Sequence, residues 1–570
     1  EDPANNRMLL FGVDNATSLL ALPDEATAVE SAVLMALTGY ETGAAVGQTM
    51  DSVLIGGTVT GRVETGGSFD TFYAGWLVTG DAAGQLEPEG VDNLAARDNF
   101  AVGGDLRNLI VAGPIGTDSA AAAPSPAYLS GFELDAEGRV GQVRSLSGFI
   151  GGVDVANLET AQGVSIQNLP HFETEGRPEE LGESAGDVFQ RFELYDAAGR
   201  FFNDSFDNAQ RLGTLVDDST GELVATVSGS LNGASFANDN VDYFSVPLLA
   251  GQAATVDLQT QGELVRIGVF DPDGRLIATD YSNVDQAAVA GRAFQFTADR
   301  PGEYRIALAW DGDVNFNGAI DPDEDVAPLA AAVDYSIRVS GIGDLALGGV
   351  VSGGNIFHSA VATEFRARNG DLGAIAAAGS LFFGDGPAIA DILADEGALR
   401  SVVASQIGQG SVALTLSGVN GRIDAPNGDI GLLQSAAGVL RLDQINLGGD
   451  IQVIDAATDF FANIEADGGL GVLRAGQITN GGSIIPSLAF NVDGAGADGV
   501  VDLIDIAGDL GTADAGGPEI STGPSGNVRF MRVGGDIYQP LAFGGGSTGA
   551  TVTGSSTTVT DDSGAVLSFK

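Results

Sequence analysis

Gly428-Asp429-Ile430-Gly431-Leu432-Leu433 returns 21 residues later as Gly449-Asp450-Ile451-Gln452-Val453-Ile454. Both copies follow one template: a glycine, a small or polar residue, an aliphatic residue, two variable positions and further aliphatic residues. From residue 370 onward the copies start 27, 31, 21, 20, 30 and 27 residues apart. The other copies start at Gly104, Gly141, Gly370, Gly397, Gly469, Gly499 and Gly526. This internal repeat decides the expected fold.

A period of about 20–30 residues is what one coil of a parallel β-solenoid needs. We expect the aliphatic positions to point inward and stack on the next coil, and the glycines to turn corners where φ is positive. The Asp or Asn after each glycine should cap the turn or form a ladder with its neighbours. A set of β-hairpins in a sandwich is the alternative, but one template recurs and Asn-Gly hairpin signals are few.

The repeat divides the chain into segments of a mostly β protein. Residues 51–191 and 346–549 are predicted to form the two parts of a parallel β-solenoid (β-helix). Residues 1–50 form a separate N-terminal segment with a strand near Met8 and a short helix over residues 26–37, whose first turn is acidic and which ends at Gly39. The β-prone tail, residues 550–570, is expected to add a strand to an adjacent subunit.

Residues 192–345 interrupt the repeat with longer strands of alternating hydrophobicity. Strands of this length and spacing predict an antiparallel β-sandwich inserted in the solenoid. The predicted strands cover residues 223–227, 242–246, 254–258, 264–270, 294–297, 304–309 and 335–339.

Four motifs in this segment occur in a characteristic order: Phe202-Asn203-Asp204-Ser205-Phe206-Asp207, Asn240-Val241-Asp242-Tyr243-Phe244, Phe270-Asp271-Pro272-Asp273-Gly274 and Pro301-Gly302-Glu303-Tyr304. The series resembles the bacterial pre-peptidase C-terminal (PPC) domain, a small β-sandwich found on many secreted proteins. The resemblance covers roughly residues 195–342. It implies an exported accessory module and no catalytic activity of that module.

A calcium-loop template lies within the same segment. Asp313-Val314-Asn315-Phe316-Asn317-Gly318-Ala319-Ile320-Asp321-Pro322-Asp323-Glu324 fits D-x-[DN]-x-[DN]-G-x5-E at every specified position. Oxygen ligands would come from the side chains of Asp313, Asn315, Asn317, Asp321 and Glu324 and from the carbonyl of Ala319. The loop resembles those of EF-hands and dockerins, although a strand precedes it and Pro322 disfavours a full exiting helix. A solvated acidic hairpin loop is the alternative.

A second oxygen-rich cluster is a weaker candidate for calcium. It consists of Asp239 and Asp242, which Asp271 and Asp273 would join in space. An Asx-rich turn between strands explains the same residues without a metal ion.

Catalytic sets are poorly represented in the sequence. The two histidines, His171 and His358, are far apart and no G-x-S-x-G elbow accompanies them. A β-helix polysaccharide lyase or hydrolase would need clustered carboxylates, for which the nearest pairs are Asp502 with Asp505 and Asp424 with Asp429. The repeat-associated arginines instead suggest ladders of ion pairs with neighbouring aspartates. These arginines are Arg107, Arg144, Arg400, Arg474 and Arg529.

Composition excludes several partners and chemistries. The 570 residues include 77 acidic and 25 basic side chains, a formal net charge of −52, which would repel nucleic acids and anionic membranes. Lys570 is the only lysine and cysteine is absent, so lysine Schiff bases, disulfides and thiolate metal sites are excluded. No apolar run is long enough for a transmembrane helix. The first residue, Glu1, suggests an exported chain from which a leader has been removed.

Together these patterns predict a non-catalytic, secreted calcium-binding protein of the bacterial cell surface. We expect it to assemble with copies of itself into a surface layer, filament or matrix, with calcium as its cofactor. A β-helix polysaccharide-degrading enzyme and a glycan-binding adhesin are the alternatives, and a cell-surface glycan is a further candidate partner.

Overall fold

The computed structural model is built almost entirely of β-strands. It describes residues 8–10, 49–60, 63–65, 68–78, 100–111, 113–115, 132–146, 148–157, 203, 205–216, 223–231, 240–260, 265–281, 283–284, 294–310, 312–318, 333–357, 365–383, 392–408, 421–478, 491–492, 500–511, 527–537, 542–543, 559–561 and 566–567. Within these ranges the only helix is one turn of 3-10 helix, Phe206–Asn208, so no helix there is long and apolar enough to cross a membrane. The chain is therefore mostly β, as predicted. The helix predicted over residues 26–37 lies outside the described residues.

The strands follow one another along the chain in three groups. The first group is β1 (Met8–Leu10), β2 (Thr49–Thr60), β3 (Val63–Thr65), β4 (Ser68–Val78), β5 (Phe100–Val102), β6 (Leu106–Val111), β7 (Phe132–Ala136), β8 (Val140–Ser145) and β9 (Phe149–Val155). The second group is β10 (Gln210–Arg211), β11 (Leu215–Val216), β12 (Leu223–Leu231), β13 (Val241–Leu248), β14 (Ala253–Thr260), β15 (Val265–Phe270), β16 (Leu276–Tyr281), β17 (Asn283–Val284), β18 (Phe294–Thr297), β19 (Gly302–Trp310) and β20 (Val333–Ser340). The third group is β21 (Leu345–Ser352), β22 (Ile356–Phe357), β23 (Phe365–Ala367), β24 (Asp371–Phe382), β25 (Ile392–Ala394), β26 (Leu399–Ile407), β27 (Arg422–Ala425), β28 (Ile430–Ser435), β29 (Leu440–Leu447), β30 (Ile451–Ala466), β31 (Leu470–Gln477), β32 (Asn491–Val492), β33 (Val500–Ile506), β34 (Asn527–Val533), β35 (Ala542–Phe543), β36 (Val559–Asp561) and β37 (Val566–Leu567).

The chain forms two compact units. Unit 1 comprises Glu1–Asp118, Leu134–Leu146 and Val155–Val350, and unit 2 comprises Ser119–Glu133, Ser147–Asp154 and Val351–Lys570.

The N-terminal strands of unit 1 pair in parallel. β1 pairs with β2, β2 with β4, β4 with β6 and β6 with β8, while β3 pairs with β5. Phe72, Leu109 and Val143 occupy successive positions of one register column, and all three are fully buried. Burial of such side chains contributes about 1.5–3 kcal/mol each, so the column stabilises the stacking of these strands.

The second group of strands in unit 1 forms two sheets. One has the order β10-β13-β19-β15-β16, and the other has the order β11-β12-β20-β14-β17, with β18 pairing to β14. Phe244 and Tyr304 from the first sheet and Val256 and Ile337 from the second are buried in one hydrophobic cluster. Every strand predicted between residues 223 and 339 is present, and β16 and β17 add two that were not predicted.

Unit 2 contains a series of parallel strands that place the repeat template in register. Two columns of buried side chains run across the strands, the first with seven members and the second with five. The first column is Ile375, Val402, Leu433, Ile454, Leu473, Ile504 and Met531, and the second is Phe365, Ile392, Ile423, Ile445 and Ile464. The aliphatic positions of the template therefore point inward, as the repeat predicted.

The aspartate after the repeat glycine caps the next turn, which confirms the prediction from its position. The Oδ1 atom of Asp371 accepts a hydrogen bond from the Ala398 backbone N–H at 2.7 Å, and that of Asp429 accepts from the Asp450 N–H at 2.8 Å. Asp105 and Asp450 do the same with Arg139 and Gly469. Asp509, which follows Gly508 outside the template, caps Asp536 in the same way. Each aspartate thus provides a side-chain acceptor for a backbone N–H at a turn between strands.

The repeat glycines serve a different purpose from the predicted one. Among the described copies only Gly370 has a positive φ, at 85°, so the expectation that glycines turn the corners in this conformation is wrong for most of them. A Cβ atom at Gly397 would lie 2.1 Å from the Gly370 carbonyl oxygen, and one at Gly428 would lie 2.1 Å from that of Gly397. Glycine is required because successive turns stack backbone against backbone and leave no room for a side chain.

The β-prone tail contains strands that pair within the chain. β35 pairs in parallel with β36, which pairs antiparallel with β37. Addition of this tail to a neighbouring subunit remains a prediction.

A buried polar network in unit 1 includes an ion pair. Arg211, on β10, donates from Nε to Oε1 of Glu303 at 2.5 Å and from Nη2 to Oε2 at 2.7 Å. Burial alone would raise the pKa of the Glu303 carboxyl, but Arg211, Arg305 and Arg144 outweigh it and hold that pKa below its ordinary value. The Arg211 backbone N–H also donates to Gln142 at 3.4 Å. The ion pair is thus largely buried and joins residues 92 positions apart.

Candidate metal site

The predicted calcium loop directly follows β19. Its first half lies within residues 312–318, and the remaining proposed ligands, Ala319, Asp321 and Glu324, lie outside the described residues. A turn connects the end of β19 to Asp313, in which the backbone N–H of Asp313 donates to the Trp310 carbonyl at 3.1 Å. The end of a central strand therefore fixes the first candidate ligand.

The Asp313 carboxylate organises the turn. It is fully buried, and it accepts hydrogen bonds from the backbone N–H groups of Asn317, at 3.2 Å, and Gly318, at 2.8 Å. The Asn315 Oδ1 atom accepts from the same Asn317 N–H at 3.0 Å. The structure thus brings the three predicted side-chain ligands Asp313, Asn315 and Asn317 into one tight turn.

Two residues of this turn have left-handed backbone conformations. Gly318 has φ 69°, which matches the sharp turn predicted for it. Phe316 has φ 59°, a conformation that costs a non-glycine residue about 1 kcal/mol or more. The loop template assigns no role to Phe316, although an aromatic residue in the middle of a polar loop indicates a side chain that packs into a core.

Phe316 anchors the loop to the first sheet of unit 1. Its ring is fully buried and packs edge-on against Phe270, with 5.7 Å between the ring centroids. A Cβ at Gly268 would lie 2.6 Å from the ring, so glycine makes the space for it. The Tyr243 hydroxyl donates to the Phe316 carbonyl at 2.5 Å. These contacts offset the backbone strain and hold the turn in a single conformation.

Strand β13 supplies the hydrogen bonds that attach the loop. Besides Tyr243, Asn240 donates from Nδ2 to the Gly318 carbonyl at 2.9 Å. Burial, and then the negative charge of Asp313, raise the pKa of the Tyr243 hydroxyl, so it stays protonated and remains a donor. Hydrogen bonds from β13 thus preorganise the first half of the loop.

The second predicted cluster is engaged by other side chains. Asp242 is fully buried and accepts from the Tyr335 hydroxyl at 2.7 Å. Asp271 accepts from the backbone N–H groups of Asp273 and Arg275 at 3.0 and 2.8 Å, which is an Asx turn.

Arg300 pairs with both carboxylates of that turn. Its guanidinium lies 2.9 Å from Asp271 and 2.5 Å from Asp273. The Asx-turn alternative therefore accounts for these two aspartates, while Asp239 lies outside the described residues.

Acidic clusters elsewhere give no further metal site in the part of the chain that the structure describes. Within those ranges no three His, Asp or Glu side chains form a group that could hold a metal ion. Of the three carboxylate ligands proposed for the loop, the structure describes Asp313, while Asp321 and Glu324 lie outside the described residues.

The carboxylates considered for glycan chemistry are also engaged. Asp502 pairs with Arg529 at 2.7 Å, and Asp505 pairs with Arg532 through two contacts of 2.6 Å. Asp424 accepts from Arg422 and Asn446, both at 2.8 Å, and Asp429 caps a turn. His171 and His358 lie outside the described residues.

The predicted arginine ladder is confirmed in part. Arg400 pairs with Asp371 and Arg529 pairs with Asp502, each with the preceding repeat. Arg144 instead donates to the Ala209 carbonyl at 3.3 Å.

Comparison of the chain with protein-family models and with curated protein sequences gives no match.

Proposed function

We propose that this chain is a secreted, calcium-binding structural protein of the bacterial cell surface that assembles with copies of itself into a layer, filament or matrix. In this proposal it has no catalytic role. Calcium occupies the loop that begins at Asp313 and stiffens the antiparallel region to which the loop is attached.

The observation that carries the proposal is the turn at residues 312–318. A buried carboxylate, two nearby amide side chains and a left-handed Gly318 are what the start of a calcium loop requires. The Asp313 carboxylate accepts from two backbone N–H groups, which fix its orientation in the loop. A divalent ion would favour the ionised form of this buried carboxylate.

The architecture that we propose is a parallel β-solenoid interrupted by a PPC-like β-sandwich. Parallel pairing, two buried columns in unit 2 and stacked glycine turns support the solenoid. Two sheets around one core support the sandwich. A solenoid offers long, regular lateral surfaces, which suits a structural subunit.

The charge of the chain supports an assembly that responds to cations. At −52, copies of the chain repel one another, and divalent cations at a cell exterior would screen or bridge them. Calcium is plentiful in such a medium, and the two asparagines among the ligands suit an extracellular affinity of about 10⁻⁴ to 10⁻³ M.

Isothermal titration with calcium tests the loop. We expect one site in the wild-type chain, weakened at least tenfold by Asp313→Ala and by Glu324→Gln. The second variant keeps the shape of the side chain and leaves the hydrogen bonds of Asp313 intact. Asp467→Ala removes an exposed aspartate of unit 2 and should leave the binding unchanged. Equal binding in all four proteins would refute the assignment.

A further inference from the structure

Five parallel strands of unit 2 present two outward columns of side chains. The strands are β28, β30, β31, β33 and β34, paired in that order. The two columns occupy positions on either side of the buried Leu433 column, so they lie on the same outer face. The first column is Leu432, Val453, Val472, Leu503 and Phe530, and the second is Gln434, Asp455, Arg474, Asp505 and Arg532.

The first column is apolar throughout and becomes more exposed toward the C-terminus. Leu432 is 9% exposed and Phe530 is 64% exposed, the highest value among the large apolar side chains of the described residues. A large aromatic side chain on an outer sheet face is costly in water unless another surface covers it. The column is therefore a candidate contact surface.

The second column alternates in charge. After Gln434 the order is Asp455, Arg474, Asp505 and Arg532, so each charge neighbours the opposite sign on the next strand. Arg532 forms a two-point ion pair with Asp505. Arg474 is exposed and, among the described carboxylates, none lies within ion-pair distance of it.

This alternation is self-complementary under one particular symmetry. A two-fold axis parallel to the strands, between β31 and β33, reverses the order of strands in the second copy. Asp455 then faces Arg532 and Arg474 faces Asp505, while apolar side chains face apolar side chains. An axis perpendicular to the strands would place each strand against its own copy. The second column would then meet itself, with Asp455 against Asp455, or would meet the apolar column, and both arrangements are disfavoured.

We propose that this face is an isologous contact between two copies of the chain, in which the Leu432 to Phe530 columns of the two copies pack against each other and run in opposite directions. The inference rests on the proposed self-association and names the surface that carries it. A patch of five strands about 4.8 Å apart and two columns wide buries less than the roughly 1,200 Å² of a standard complex. The contact is therefore weak, with a dissociation constant of about 10⁻⁴ M.

Sedimentation velocity from about 10 μM to 1 mM tests the contact, at an ionic strength of about 0.15 M that screens the net charge to within roughly 8 Å. Each measurement is made with a chelator and repeated with calcium. We expect Arg474→Asp and Asp505→Arg each to raise the dissociation constant at least tenfold, because each places like charges face to face. An equimolar mixture of the two variants should restore association to near the wild-type value, because each altered charge then meets its opposite. Arg422→Asp makes the same charge change on β27 and should have no effect.

The outcomes separate the surface from the proposed function. Association of both single variants as strong as that of the wild type overturns the surface and leaves self-assembly standing. Loss of association in both variants without recovery in the mixture overturns the two-fold arrangement. A wild-type chain that stays monomeric at every concentration, with and without calcium, overturns both proposals. The circular dichroism spectrum of each variant must match that of the wild type, which shows that the variant is folded. Phe530→Ala leaves the charges unchanged and should also raise the dissociation constant, because it removes apolar contact area.

Discussion

The ion pair between Arg211 and Glu303 gives the sharpest prediction about stability. The two side chains are 7% and 11% exposed and share two hydrogen bonds of 2.5 and 2.7 Å. Arg211→Met removes the main partner of a carboxylate that stays buried. Breaking one half of a buried pair costs about 3–5 kcal/mol. Arg305 remains 3.5 Å from Glu303, so we expect the lower end, about 3 kcal/mol.

The pair should behave as a unit. When Glu303→Met accompanies Arg211→Met, no unpaired charge is left, and the double variant should lie within about 1 kcal/mol of the wild type. The coupling energy of the cycle is then at least about 2 kcal/mol.

Denaturation in guanidinium followed by the fluorescence of Trp310 measures these differences. Trp310 is buried at the end of β19, the strand that carries Glu303, and Trp76→Phe makes it the sole tryptophan. Because the chain has two units, the free energy is read from the transition that Trp310 reports and not from the whole chain.

The pH dependence has a defined sign. The pKa of Glu303 is held below its ordinary value of about 4.3, so the pair's contribution is fully present above that pH. It is lost as the pH falls through the lowered pKa of the folded protein. The difference between wild type and Arg211→Met should therefore be constant from pH 7 to 6 and shrink in acid. A difference below about 0.5 kcal/mol at pH 7, or a double variant as unstable as the single one, would refute the reasoning.

Three further predictions concern the turns and the loop. Burial raises the pKa of Asp105, and Asp105→Asn keeps an acceptor while it removes a buried charge. The variant should therefore melt no lower than the wild type at pH 7, and the melting temperature of the wild type should rise relative to that of the variant as the pH falls. A clear loss of melting temperature in the variant at pH 7 would contradict this. Gly428→Ala places a Cβ 2.1 Å from a carbonyl oxygen and should lower the free energy of unfolding by about 1–3 kcal/mol, measured by thermal unfolding followed by circular dichroism. At Gly148 the nearest atom is 3.7 Å away, so Gly148→Ala should be tolerated. Equal effects of the two variants would be inconsistent with stacked turns. Tyr243→Phe removes a hydrogen bond of about 1 kcal/mol from the loop and should weaken calcium binding about fivefold in titration. Tyr335→Phe removes a hydrogen bond to Asp242 and should leave calcium binding unchanged. Unchanged affinity in both variants would argue against preorganisation of the loop by Tyr243.

The repeat made much of the architecture predictable. Register columns such as Leu433, Ile454 and Leu473 follow from the recurrence of one template, because a fixed spacing places equivalent residues on successive strands. The role of the glycines was misjudged, since a sequence does not distinguish a left-handed φ from a close backbone approach. That distinction depends on the distance to the previous turn, which is set by tertiary packing.

The candidate site was predictable only where its signal is local. The positions of Asp313, Asn315 and Gly318 follow from loop spacing alone. The anchoring of Phe316 by Tyr243 was not predictable, because the two residues are 73 positions apart and meet through strand pairing. The Arg211 to Glu303 pair escaped prediction for the same reason. Arg300 likewise joins Asp271 across 29 residues and gives that aspartate a structural partner.

Electron microscopy of the purified protein, with calcium and with a chelator, tests the central proposal most directly. We expect ordered layers or filaments with calcium that disperse when the ion is removed, and no ordered assembly of the Asp313→Ala variant at the same calcium concentration. Dispersed monomers in both conditions would contradict a calcium-dependent structural role.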